Sequence, residues 1–129
     1  RARVIAAGAP YVQDVVVTGL NRNEVGALIF PTAAIRSLAQ LDASASLADV
    51  LASPQVQAHF QQVVNQLAAA ATGSATRIGR AVLLSEPPSI DKGEVTDKGS
   101  INQRAVLKHR DALVEALYSG TAGHIIQPQ

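Results

Sequence analysis

The chain has 129 residues, which suits one domain, and 47% of them are apolar, enough for a single core. Cysteine is absent, which excludes disulfides, thiolate catalysis and cysteine zinc sites; the formal net charge is +1, and no run of lysine or arginine is dense enough for a nucleic-acid or membrane surface. Methionine is absent as well, even at position 1, so either processing removed it or the chain was cut from something longer.

Arg1 to Ala7, with Val4 and Ile5 among alanines, reads as the end of a helix that Gly8 and Pro10 stop. Val12 to Thr18 is rich in valine and predicts a buried strand. Gly19 to Glu24 predicts a turn, and Val25 to Phe30 the antiparallel partner. Ile35, Leu38 and Leu41 are spaced for a helix that Thr32 would cap. After a polar break over Asp42 to Ala45, Ser46 and Asp49 resemble a capping box that opens a brief helix through Val50 and Leu51. Ser53-Pro54 then supplies a cap and a first-turn proline for the clearest helix, with Val56, Phe60, Val63, Val64 and Leu67 on one face and an end near Thr72-Gly73. His59 in this helix reads as a partly buried or surface residue, not a ligand. The longest apolar stretch without a charge, Gln61 to Ala75, is interrupted by Gln and Asn and does not suit a bilayer core of about 30 Å, so a cytoplasmic setting is expected.

Arg77 to Ser85 predicts a third strand, with Ala81-Val82-Leu83-Leu84 apolar enough for the middle of the sheet; Glu86-Pro87-Pro88 ends it. Asp-Lys-Gly then occurs twice, at Asp91–Gly93 and Asp97–Gly99, around a short extended Glu94-Val95-Thr96. This pattern predicts a projecting hairpin or paired turns, with Gly93 and Gly99 present for a positive φ. A final helix is expected from Ile101 to about Ser119, with Val106, Leu107, Leu113, Val114 and Leu117 inward and Gly120 as its stop. Residues 121–129, His124 included, are expected to be a loose tail. The architecture is therefore α+β: a three-stranded, mainly antiparallel sheet packed with helices.

One segment carries chemistry. Ser100 and Gln103 have capping-box spacing, so a helix is expected to begin at Ile101 with Lys98 just ahead of its positive end. A phosphate or carboxylate there would meet a point charge and free backbone donors. The plainer alternative is a surface turn followed by a capped helix.

Read with its flanks, Leu83-Leu84-Ser85-Glu86-Pro87-Pro88-Ser89 and Ala105-Val106-Leu107, the run Gly93-Glu94-Val95-Thr96-Asp97-Lys98-Gly99-Ser100-Ile101-Asn102-Gln103-Arg104 resembles the C-terminal region of feruloyl-CoA synthetases, which are AMP-forming acyl-CoA ligases of the adenylate-forming superfamily. Gln13-Asp14-Val15-Val16-Val17-Thr18-Gly19 and Val25-Gly26-Ala27-Leu28-Ile29-Phe30-Pro31 extend the resemblance, while Thr32 to Thr76 carries no matching motif. The resemblance implies a small α+β lid on a larger N-terminal adenylation domain. In that family the lid rotates between a pose that closes over ATP and acid and another that admits CoA. It further implies a whole enzyme that joins a hydroxycinnamic acid to CoA through an acyl adenylate, with ATP and its Mg bound mainly by the N-terminal domain. The fragment alone is expected to fold but to be inactive.

Within this frame Lys98 is the catalytic candidate, and Thr96, Gly99, Ser100 and Arg104 are the candidates for substrate or cofactor binding; no residues are assigned to a metal. The family's usual loop has a Thr-x-x-Gly-Lys order followed by an arginine. Thr96, Gly99 and Arg104 fit it, but Ser100 stands where the lysine is usual and Lys98 lies two places earlier. Either Lys98 reaches the same spot from the other side of the glycine turn, or Lys98, Ser100 and Arg104 act jointly. Lys92 stands outside the matching frame. The other readings are a non-catalytic α+β module that docks a protein partner through Glu86 to Arg104, and the lid of another adenylate-forming enzyme, such as a fatty acyl-CoA ligase or a carboxylic acid reductase.

Overall fold

A computed structural model describes residues 2–19, 25–41, 44–70, 78–121 and 123–128, with Ala2 and Arg3 as backbone only. The elements run α1 (Ala2–Gly8), β1 (Val12–Thr18), β2 (Val25–Pro31), α2 (Ile35–Ala39), α3 (Leu47–Ala52), α4 (Pro54–Ala70), β3 (Ile78–Leu83), α5 (Gln103–His109) and α6 (Asp111–Ser119). Both the expected turn after Gly19 and the end of α4 near Thr72-Gly73 fall outside the described residues.

The three strands lie side by side in the order β1-β2-β3, and side chains alternate between two apolar layers. Val15, Ala27, Ile29 and Ala81 face one layer, where Val4 of α1, Ile35 of α2, Val50 of α3 and Val56, Phe60, Val63 and Val64 of α4 pack. Val16, Leu28, Phe30 and Val82 face the other, against Val106 of α5 and Leu117 of α6. Burial on both faces explains why the strands read as continuous apolar runs instead of alternating ones.

Two expectations about the sheet are corrected. β1 and β2 are antiparallel, but β3 joins β2 in parallel, so the sheet is mixed. The chain leaves β2, builds the α2–α4 layer across one face and re-enters at the end where β2 began, as a crossover connection requires. Accordingly β2, not β3, is the central strand. The outer edge of β3 is covered by the C-terminal segment: Ala81 and Ile126 exchange two backbone hydrogen bonds of 2.8 Å, and Ile126 is buried in the α4 layer. A loose tail therefore does not describe Ile126, because an apolar side chain and an unpaired strand edge meet there.

Local signals fare unevenly. The Ser46 hydroxyl accepts from the Asp49 N–H at 3.1 Å and the Ser53 hydroxyl from the Val56 N–H at 3.4 Å, as their spacings predict. Thr32 does not cap α2; its hydroxyl donates to the Pro10 carbonyl at 2.7 Å, and Leu41, 46% exposed, lies outside the buried stripe. The single final helix is in fact two, broken at Arg110, whose backbone departs from helical geometry at φ −110° and ψ 30°.

Candidate functional site

The two Asp-Lys-Gly triplets fold as two copies of one turn. The Ile90 carbonyl accepts from the Gly93 N–H at 3.0 Å and the Thr96 carbonyl from the Gly99 N–H at 2.9 Å, with φ of 74° at Gly93 and 81° at Gly99. Each is a turn closed by a left-handed glycine, the arrangement that matches a hairpin's twist. A Cβ at either glycine would meet nothing within 4 Å, so backbone conformation alone demands glycine there.

The second turn caps a short hairpin. Val95 and Ile101 pair antiparallel, the Thr96 N–H donates to the Ser100 carbonyl at 2.8 Å, and the Asn102 N–H to the Glu94 carbonyl at 2.8 Å. Lys98 stands exposed at its tip and makes no hydrogen bond or ion pair with any described residue. The Thr96 and Ser100 hydroxyls lie 2.8 Å apart beneath it, and the Ser100 N–H also donates to the Thr96 hydroxyl at 3.3 Å. Thus Thr96, Lys98, Gly99 and Ser100 share one tip, whereas Arg104 sits exposed on α5 with no hydrogen bond or ion pair to them.

The expected capping box is not formed. α5 begins at Gln103 behind Asn102, whose side-chain oxygen accepts from the Ala105 N–H at 3.2 Å, while Ser100 is engaged with Thr96. Gln103 turns instead to the free edge of β1, where its amide donates to the Val15 carbonyl at 3.0 Å and accepts from the Val17 N–H at 3.3 Å. One side chain thereby imitates a neighbouring strand and fixes α5, and the hairpin before it, to the sheet.

The strongest electrostatic feature was not anticipated from the sequence. Glu94, at the hairpin base, is fully buried. Its carboxylate accepts from Arg110 Nε at 2.8 Å and Nη2 at 2.9 Å, from the Ser89 N–H at 2.8 Å and from His109 Nδ1 at 3.1 Å. Arg110 also donates to the carbonyls of Glu86 and Pro87 and lies over the Phe30 ring. The Arg110 hydrogen bond above all, aided by Ser89 and His109 and opposed by burial, holds the Glu94 carboxyl down at about 2. The one available signal was an acidic residue between two turn glycines, followed by His-Arg on what read as the polar face of a long helix.

Beside this cluster a cavity of about 440 Å³ opens between the end of β3 and the α5–α6 junction, walled by Leu84, Ser85, Glu86, His109, Arg110 and Leu113 among others. His59 is placed differently: its ring makes edge contacts with Tyr11 and Phe60, its Nε2 is buried without a partner among the described residues, and burial lowers its pKa. Among the described residues no group of three or more His, Asp or Glu could hold a metal ion, and no helix is long and apolar enough to cross a membrane.

The fold is similar to that of solved adenylation domains. The A-PCP didomain of a carboxylic acid reductase from Segniliparus rugosus in complex with AMP matches with a TM-score of 0.57 and 19% identity, over 92% of this chain and 16% of that one. The A domain of a carboxylic acid reductase from the same organism, in complex with AMP and a co-purified carboxylic acid, gives 0.55 and 20% over 93% and 18%. The adenylation domain of a carboxylate reductase from Mycobacterium chelonae gives 0.58 and 22% over 92% and 17%. The chain thus spans less than a fifth of the length of these structures. Among curated proteins there is no sequence match. The family of AMP-binding enzyme C-terminal domains matches residues 2–122, nearly the whole chain, and to that family, the C-terminal domains of adenylate-forming enzymes, this chain belongs.

Proposed function

We propose that this domain is the lid of an AMP-forming ligase that activates a hydroxycinnamic acid and passes it to CoA, with Lys98 as the residue it brings to the reacting phosphate. The observation that carries the reading is Lys98 itself: a partner-free cation, among the described residues, at the tip of a hairpin that Glu94 anchors from below. When the acid's carboxylate attacks the α-phosphorus of ATP, negative charge builds on the phosphoryl oxygens and on the departing pyrophosphate. An ammonium delivered by a closing lid neutralises that charge where water is excluded. Thr96 and Ser100 offer hydroxyls at the same tip, Gly99 gives the turn its shape, and Arg104 follows on α5 as a second cation facing solvent. The preceding domain would supply the acid pocket and the remaining contacts to ATP and its Mg.

The test is Lys98→Ala in an enzyme that carries this domain behind its adenylation domain. Acid-dependent pyrophosphate release should fall by about 10²–10³, the loss of roughly 3 kcal/mol expected for one such donor. Unchanged release would overturn the assignment and favour a module that merely docks a partner through Glu86 to Arg104. The likeness to reductase adenylation domains supports the same first half-reaction, and the product separates the two readings: acyl-CoA identifies the ligase.

A further inference from the structure

The Glu94 cluster does more than hold the hairpin. Arg110 spends its guanidinium on Glu94 and on two backbone carbonyls, so it offers little to a ligand. His109 is different. Its Nδ1 faces the buried carboxylate at 3.1 Å, its side chain is 36% exposed, and His109 is one of the residues that line the cavity of about 440 Å³. An ionised carboxylate only accepts hydrogen bonds, so Nδ1 carries the proton of the neutral ring and the basic lone pair is left on Nε2. That nitrogen makes no hydrogen bond to any described residue. A carboxylate-oriented imidazole with a free nitrogen, on a residue that lines a cavity in the size range of ligand sites, is the arrangement of a general base.

We infer that His109, held in this tautomer by Glu94, is the base for the second half-reaction and that the adjoining cavity receives the chain bearing the acceptor thiol. The inference rests on the ligase reading above. In the step assigned, the thiol sulfur forms a bond to the acyl carbonyl carbon, the carbon–oxygen bond to AMP breaks, and AMP leaves with that electron pair. The thiol proton passes to His109 Nε2 and from there to water, so no oxidant or reductant enters. Glu94 is a positioning residue in this scheme. The other charged residues around His109 are Arg110, which shares Glu94 with it, Glu86 in the cavity lining, Lys108 before it on α5 and Asp111 at the start of α6.

The experiment uses the full-length enzyme and measures the half-reactions separately: acid-dependent ATP–pyrophosphate exchange, and single-turnover consumption of preformed acyl adenylate by CoA. His109→Asn keeps a donor for Glu94 and removes the base. Relative to exchange, its thiol step should slow by about 10²–10³, and its pH profile should follow the acceptor thiolate alone. Added imidazole should restore part of the rate to His109→Ala, a rescue that a merely structural residue would not show. A thiol step within about threefold of wild type with the same pH profile overturns the inference, as does an equal fall in both half-reactions without imidazole rescue. If the wild type adenylates the acid but never forms a thioester with CoA, the ligase reading itself has failed.

Discussion

At the scale of single residues, a buried carboxylate organises the candidate site, and its ionisation is coupled to folding. The Glu94 carboxyl has its pKa lowered from 4.5 to about 2, chiefly by Arg110, so its contribution to stability is complete above 4.5 and is lost as pH falls through about 2. Thermal melts of the wild-type domain should therefore show a loss of stability across that window. Glu94→Gln, which has no carboxyl to protonate, should lose that part of the acid dependence and sit roughly 3 kcal/mol below wild type at neutral pH. A variant that keeps the wild-type acid limb would assign the effect to another group. Lys98 was legible from the sequence because turn chemistry forces Asp-Lys-Gly to a surface tip. Glu94 was not, because burial of a charge depends on a partner sixteen positions away that no local pattern announces.

At the scale of elements, some turn and cap signals hold and others lose to a competing partner, as Thr32 does to Pro10 and Ser100 to Thr96. Both glycine turns and the Ser46 and Ser53 caps follow from short-range stereochemistry. The break at Arg110 and the start of α5 at Gln103 do not, since the competing partners are Glu94 and the edge of β1. Helix α6 is fitted to the sheet by close approach: Arg80 donates to the carbonyls of Leu117 and Tyr118 at its end, and the Tyr118 hydroxyl lies 2.8 Å from that of Thr18. Gly26 makes room for this contact. A Cβ there would stand 2.6 Å from Thr18 Oγ1 and 3.0 Å from Leu117 Cδ2. Gly26→Ala should cost about 1–3 kcal/mol in urea denaturation, whereas an unchanged midpoint would mean that α6 shifts freely on the sheet.

At the scale of the whole molecule, two apolar layers on one mixed sheet bind N-terminal helices, C-terminal helices and the last residues together. Ile126 closes the edge of β3, so Ile126→Ala should destabilise the domain by about 2–4 kcal/mol, measurable as a lowered denaturation midpoint; no change would restore the loose tail. The three strands, the two glycine turns, the α+β class and the exposed lysine tip were determined by the sequence itself, because they depend on side-chain periodicity and on φ preferences within a few residues. The parallel entry of β3, the central place of β2, the buried Glu94–Arg110–His109 cluster and the docking of Ile126 were decided only in three dimensions. Each joins groups far apart along the chain, and the free energy of that pairing exists only once the two layers have closed over the sheet.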